Sequence, residues 1–279
     1  MQKIQRKKRK MPIEINEIAS CKNLPKTLLE LVGNEEIIDK FAQSPKDVME
    51  YALSLATDEI KTDFASTIGL WEGFTLGEHT ESVMTFFQEN FADTLNCSKQ
   101  TRAMLNLIIF CHDIGKAEEK RRVAAIGDDI YPKEKFDLYN EKAVKFFKSL
   151  NIDEKDGEKL ALFITNLTQI LERRTTNHYV RDMRNSLTKL DEECERILNE
   201  NDFDSSEDSV KEFELVARVL QTCDSGAYTT YGKTRDAETN EYRPNLNKEW
   251  TKGFVATKYG YRFKKDAPEN VHDGEEIVQ

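Results

Sequence analysis

The sequence has no long apolar run, and this absence argues against a protein that spans a membrane. Its 279 residues include 38% apolar and 33% charged side chains, without a stretch of about 18 apolar residues that could span a bilayer. The basic start, MQKIQRKKRK, leads into no apolar segment, so it does not have the form of a secretory signal. We therefore expect a soluble, cytoplasmic protein that does not enter a membrane.

Cysteine is scarce and badly placed for cross-links or for a thiolate metal site. The five cysteines form no CxxC pair, and their number is odd. Both facts argue against a disulfide framework and against a zinc site built from thiolates. The cysteines are therefore expected to be buried free thiols.

An excess of positive charge is also missing. The formal net charge is −10, which disfavours sequence-independent binding of a long polyanion, because that affinity depends on neutralising phosphates with Lys and Arg. A small phosphorylated ligand in a local pocket remains compatible with this charge. The basic residues near the start are interpreted as a solvated flexible arm over residues 1–20, although contact with nucleic acid stays an alternative.

Hydrophobic periodicity predicts a mostly helical chain. Apolar residues recur at three- and four-residue steps, the pattern of helices that bury one face. The segments with this pattern are 24–60, 75–95, 102–114, 141–150, 157–172, 179–199 and 207–224. The predicted fold class is all-α, a helical bundle over residues 21–235. A polar C-terminal appendage, 236–279, is expected to be partly disordered and to contain a short extended segment.

Two glycines and one polar stretch are predicted to interrupt the helices. Gly115 is expected to end the apolar helix 102–114, and Gly226 to follow the end of the helix at 207–224. Residues 118–138 contain Gly, Pro and clustered charge, so they are predicted to form a long loop near a site.

Four potential metal ligands fall on core-facing stripes or at the ends of buried helices. His79 lies on the apolar stripe of one predicted helix. The pair His112-Asp113 closes the most apolar helix, and Asp224 closes another. Ionised carboxylates rarely occupy such places unpaired, because desolvating a charge costs several kcal/mol. One divalent cation could bind both imidazoles and balance the charge of both carboxylates.

The donor set restricts the kind of ion. Imidazole and carboxylate together suit Mn, Fe, Co, Ni, Zn or Mg, with coordination positions left for water and a substrate oxygen. Taken singly, a histidine on an apolar stripe is usually a hydrogen-bonded core residue, and Asp224 could simply shape a helix end. The conjunction of the four residues favours a metal site.

At these residues the sequence resembles the HD superfamily of metal-dependent phosphohydrolases. That family has a His, a His-Asp pair about thirty residues later and a distant Asp, and the matching strings here are GEHT, FCHDIGK and QTCDSGAYT. The resemblance covers roughly residues 70–230, and HDIGK is its most specific part. It implies an all-α HD-type fold that holds one divalent metal between its helices.

The resemblance also implies an activity, the hydrolysis of a phosphate monoester or phosphodiester by metal-activated water. A nucleotide is the expected substrate. Asp113 and Lys116 are the expected catalytic residues, and Lys116, Arg121 and Arg122 are expected to bind the phosphate group. Lys116 could instead only oppose the dipole of the helix before it.

The number of metal ions depends on one position after the predicted loop. Two-metal relatives often have a further His there, in a pattern like YGHE, whereas this chain has LYNE with Asn140 at that place. An amide is a weak neutral ligand and also an ordinary N-cap, so one tightly bound metal is expected. His178 could substitute for the missing imidazole, but an exposed helix start is the favoured interpretation.

Two other functions stay open. The first is an HD-type nuclease acting on single-stranded nucleic acid, because the HD nucleases of CRISPR systems carry an HDIGK-like string. The net acidity weighs against it. The second is a non-catalytic regulatory HD module that retains a metal or a nucleotide. In the C-terminal segment, alternating aromatic and basic residues over 258–264 could stack bases or pack as a short strand, and packing is favoured.

Overall fold

The computed structural model of the chain describes residues 13–67, 74–127, 131–175, 190–235, 242–244 and 254–263. This part of the chain is helical apart from two short β-ribbons, so the predicted all-α class is confirmed. Its eleven α-helices are α1 Lys26–Leu31, α2 Glu35–Phe41, α3 Pro45–Leu55, α4 Asp58–Phe64, α5 Leu76–Phe87, α6 Lys99–Cys111, α7 Lys116–Ile126, α8 Pro132–Ser149, α9 Glu154–Thr175, α10 Leu190–Glu200 and α11 Glu207–Tyr231. None of the helices in the described ranges is long and apolar enough to cross a membrane.

Short irregular elements complete the fold. A 3-10 helix spans Ile15–Ser20, and a π-helical turn, Gln88–Ala92, extends α5. Strands β1 Lys233–Arg235 and β2 Tyr242–Pro244 pair antiparallel, as do β3 Phe254–Thr257 and β4 Gly260–Phe263.

Side-chain caps define where many helices begin. Thr75 accepts a hydrogen bond from the amide of Glu78, and Glu78 accepts one from the amide of Thr75, so the two residues form a capping box at the start of α5. Ser and Thr residues cap four further helices in the same manner, because their hydroxyls satisfy amides that the first turn leaves without partners. These caps are Ser44, Thr57, Ser98 and Ser206.

Helix α6 forms the centre of the core. Its residues from Ala103 to Cys111 are all buried, as expected for a helix that is apolar nearly all round. The helix ends at Cys111, earlier than predicted. Gly115 does not end it, because this residue lies after a turn and is the N-cap of α7.

The predicted loop at 118–138 is wrong, because α7 and α8 occupy nearly all of its described residues. Charge on α7 is paired along the helix, since Glu118 accepts hydrogen bonds from both Arg121 and Arg122. Pairs at three- and four-residue spacing stabilise a helix. Pro132 begins α8 at the first helical position, where its missing N–H costs nothing.

Gly226 lies inside α11, which continues to Tyr231 instead of ending near Asp224. Helix α5 packs closely on α11 at this glycine. The ring of Phe86 lies against the backbone at Gly226, where any side chain would collide with it. This position therefore requires glycine for contact with a neighbouring helix and not for a helix end.

The flexible arm predicted for residues 1–20 ends earlier, because a 3-10 helix begins at Ile15. Ile15 and Ile18 in the 3-10 helix are fully buried, whereas residues 1–12 of the arm lie outside the described residues. The amide of Ile15 donates to the carbonyl of Lys258 between β3 and β4. The predicted extended segment is thus observed in this ribbon, and Gly260 packs against Arg218 of α11.

A buried ion cluster joins α4, α7 and α8. Asp63 is fully buried and accepts hydrogen bonds from Arg121 and Lys142. Lys142 is 2% exposed and also donates to Glu59, at 2.7 Å. Because each buried charge has an opposite partner, the cluster fixes α7 relative to the two other helices.

We predict that Asp63→Asn lowers the free energy of unfolding by about 3 kcal/mol, because it leaves Arg121 and Lys142 without their shared carboxylate. Urea denaturation at neutral pH measures this loss. The matched control is Asp137→Asn, since Asp137 pairs with an exposed Lys133 and should change stability by less than about 0.5 kcal/mol. Equal losses in the two variants would contradict a structural role for the cluster.

Candidate metal centre

Three helices bring the predicted ligands together. His79 is on α5, His112 and Asp113 follow the last residue of α6, and Asp224 is on α11. The Nε2 atom of His79 lies 3.3 Å from Oδ1 of Asp224. The close packing of α5 on α11 therefore places the first and last of these residues side by side.

All four side chains converge on one point. Oδ2 of Asp113 lies 3.6 Å from Nε2 of His79 and 3.5 Å from Nε2 of His112. Nε2 of His112 lies 3.9 Å from Oδ1 of Asp224. One ligand atom each from His79, His112 and Asp224 falls within 4.8 Å of the others, so this group could hold a metal ion.

The ring of His112 is held in the tautomer that a metal ligand needs. Its Nδ1 lies 2.6 Å from the carbonyl oxygen of Ile109. A carbonyl can only accept, so Nδ1 carries the proton and Nε2 presents its lone pair. That Nε2 is buried, and no hydrogen-bond partner for it exists in the part of the chain that the structure describes. The residues therefore fit a cation at this point.

Mutual electrostatics keep the two carboxylates ionised. Burial raises the pKa of Asp113, but Lys116 and the two histidines outweigh burial and hold it well below the usual range. Burial likewise opposes ionisation of Asp224, and the hydrogen bond with His79 lowers its pKa overall. For His79, burial lowers the pKa, yet the two carboxylates more than offset this and raise it. The two carboxylates are thus held in the ionised form that a cation needs.

The predicted basic residues divide into two groups. Lys116 lies at the centre, with Nζ 2.6 Å from Oδ2 of Asp113. Arg121 pairs with Asp63 and Glu118, and Arg122 pairs with Glu118 at 3.2 Å and more weakly with Glu134. The structure therefore brings Lys116 to the ligands and engages both arginines with carboxylates. Their roles toward a substrate remain predictions.

The cysteines beside the ligands are neutral thiols. All five cysteines are free and buried, as predicted. Burial raises the pKa of Cys111, and burial together with the charge of Asp224 raises that of Cys223. Neither residue is therefore a thiolate at neutral pH.

Tyr139 supports the turn that carries the ligands, a role that the sequence did not predict. Its ring lies against Gly115, and a Cβ atom at Gly115 would lie 2.9 Å from the Cα of Tyr139. The phenol donates to Glu119 at 3.0 Å, one turn further along α7. Tyr139 is 1% exposed, so this contact fixes α8 against the turn between His112 and α7.

Asn140, the residue from which a single metal was predicted, lies on α8. Its Oδ1 is buried, and among the described residues it has no hydrogen-bond partner. The single group of His, Cys, Asp and Glu suited to a metal within these residues does not involve another imidazole. His178 lies outside the described residues.

Comparisons of the chain with protein-family models, with curated proteins and with solved structures gave no match. The part of the chain that the structure describes is mostly helical and contains a buried His-His-Asp group.

We predict that Gly115→Ala lowers the free energy of unfolding by about 1–3 kcal/mol, because the new methyl group overpacks against the backbone of Tyr139. Thermal or urea denaturation measures the change. Gly157→Ala is the matched control, since a Cβ there would meet only Phe147, at an ordinary 3.6 Å. That variant should be neutral or slightly more stable. Loss in both variants would show that the contact with Tyr139 is not the cause.

We predict that the centre binds about one equivalent of Mn²⁺ or Co²⁺, because an amide oxygen binds transition metals more weakly than an imidazole nitrogen. Isothermal titration calorimetry gives the stoichiometry. His79→Asn should abolish this binding, and Asn140→Ala should keep it. Two equivalents of similar affinity, one of which disappears in Asn140→Ala, would show that Asn140 serves a second ion.

Proposed function

We propose that this chain is a metal-dependent phosphohydrolase of the HD type, with an HD-type helical fold. The observation that carries the proposal is the convergence of four side chains in the family's order, those of His79, His112, Asp113 and Asp224. At their centre, the buried Nε2 of His112 has no hydrogen-bond partner among the described residues. Such a nitrogen beside two ionised carboxylates is costly unless a cation compensates it.

These four residues would hold the metal. In their deprotonated forms the two imidazoles offer nitrogen donors, and the two aspartates offer charge that balances a divalent ion. Bound there, such an ion supplies Lewis-acid chemistry, which lowers the pKa of water and polarises a phosphoryl oxygen. Asp113 occupies the middle of the group, because its Oδ2 faces both imidazoles and the ammonium of Lys116.

Lys116 is assigned to the substrate. Its ammonium reaches Asp113 and keeps about a quarter of its side chain exposed. From this place it can donate hydrogen bonds to a phosphate oxygen and offset the negative charge that develops there. Asp113 orients the ammonium, since the ion pair between them fixes the Nζ atom beside the ligand group.

A small substrate is favoured over a nucleic acid. The net charge of −10 opposes a long polyanion. Arg121 and Arg122, which would otherwise extend a phosphate-binding surface, are each paired with carboxylates. A nucleotide or a similar phosphate ester fits these charges better than a strand, and strand cleavage becomes an outcome of the test.

The test pairs metal analysis of the purified protein with a screen of nucleotides, cyclic nucleotides and single-stranded nucleic acid. Turnover of small nucleotides alone supports the proposal. Cleavage of strands would replace it with a nuclease function. Binding of metal and nucleotide without turnover would indicate a regulatory module.

For the active substrate, we predict that His112→Ala and Asp113→Ala each abolish hydrolysis while the helical circular dichroism changes little. Loss of a ligand should cost more than the roughly 10–100-fold that loss of a ligand's hydrogen-bond partner typically costs. Asp137→Ala on the exposed face of α8 is the control for removal of a carboxylate and should keep wild-type turnover. Lys116→Ala should reduce turnover less than either ligand variant.

Full activity with bound metal in His112→Ala or Asp113→Ala would overturn the assignment of the centre. Retained metal binding without any hydrolysis in the wild-type protein would overturn the catalytic part alone.

A further inference from the structure

The carbonyl group of His112 needs a hydrogen-bond donor from outside its own helix. α6 ends at Cys111, so the carbonyls of the last turn have no amide four residues on within the helix. The next carbonyl, that of Asp113, accepts from the amide of Lys116 at 2.9 Å. Within the described residues no backbone N–H donates to the carbonyl of His112. An unsatisfied buried carbonyl would cost about 1–3 kcal/mol.

Thr168 of α9 supplies that donor. Its hydroxyl donates to the carbonyl oxygen of His112 at 2.8 Å, and it also approaches the carbonyl of Ile164 in its own helix at 3.3 Å. A hydroxyl has one proton, and the shorter distance favours His112 as the acceptor. Thr168 is 2% exposed, so bulk water does not readily replace this contact.

The two bonds at His112 fix different degrees of freedom. The bond from Nδ1 to Ile109 sets the rotation of the imidazole and its tautomer. The bond from Thr168 sets the position of the main chain from which the ring projects. Together they determine where the lone pair of Nε2 lies relative to Asp113, 3.5 Å away. A shift of the main chain would therefore move two of the four converging side chains.

We propose that Thr168 is a positioning residue of the centre, which acts through the main-chain carbonyl of His112 and sets the affinity for a divalent cation. The inference rests on the proposed metal site for its effect on affinity, while its effect on the ring of His112 can be measured without metal. Thr168 holds the turn from α9, and Tyr139 holds it from α8.

The experiment compares Thr168→Val, which removes the hydroxyl at nearly constant shape, with Thr168→Ser, which keeps it. Two readouts are taken. The first is the NMR signal of the His112 ring nitrogens in metal-free protein, assigned with His112→Asn. The second is Co²⁺ binding, followed by calorimetry and by the visible absorption of the bound ion.

We predict that Thr168→Val shifts the His112 ring signals, weakens Co²⁺ binding by about 10–100-fold and alters its visible spectrum. Thr168→Ser should restore all three properties. Thr85→Val is the control, because Thr85 donates only within α5, to the carbonyl of Glu81 at 2.8 Å. This variant loses a comparable in-helix bond and should leave both readouts at wild-type values.

Wild-type ring signals and wild-type Co²⁺ affinity in Thr168→Val would overturn the proposal. Equal damage in Thr168→Ser would also overturn it, because the hydroxyl would then not be the cause. If the wild-type protein binds no Co²⁺, the proposed function fails, and the ring signals alone decide the role of Thr168. If Thr168→Val does not fold, Thr168→Ala is measured in its place.

Discussion

Two ionised carboxylates held largely out of water constrain much of this structure. Asp113 is 7% exposed, and Asp224 meets it across a group of two imidazoles and one ammonium. Desolvation would make either charge costly alone. The helices that carry these residues must therefore meet at one point, and the packing of α5 on α11 and of both around the buried end of α6 satisfies that requirement.

A second electrostatic arrangement determines what lies beside this point. The charges of α7 are not left to solvent, because Arg121 reaches Asp63 on α4 and Glu118 on its own helix. This pairing anchors the polar helix α7 to α4. Arg121 and Arg122 are both paired with carboxylates. Lys116 is therefore the member of the predicted phosphate-binding set that lies beside the candidate ligands. A helix next to the candidate ligands, in place of the predicted loop, favours a pre-organised site.

Sequence periodicity could predict the ligand group because it reports which side of a helix faces the core. His79 shares the stripe of buried residues on α5, and His112 follows the most apolar helix. Their convergence with Asp224 could therefore be expected from the sequence alone. The helices at 118–138 could not be predicted in the same way. Their stability depends on pairs such as Arg121 with Asp63, which are 58 residues apart in sequence.

Contacts to the backbone left no signal in the sequence either. Gly226 has the appearance of a helix end, yet it lies inside α11, where its contact with Phe86 accounts for the glycine. Thr168 and Tyr139 lie on helices of ordinary composition, and each acts on the main chain of the turn between α6 and α7. Composition and spacing do not reveal such contacts, because the main-chain atoms that are contacted are present in every residue type.

The order of the segments along the chain has a consequence for synthesis. His79 and Asp113 leave the ribosome well before Asp224, whose helix is the last α-helix among the described residues. Until α11 emerges, the face of α5 that packs on it stays exposed, and the nascent chain has only part of the group that could hold a metal ion. Helical content can therefore precede assembly of the His-His-Asp group, and a chain interrupted before α11 would lack Asp224 and could not complete that group.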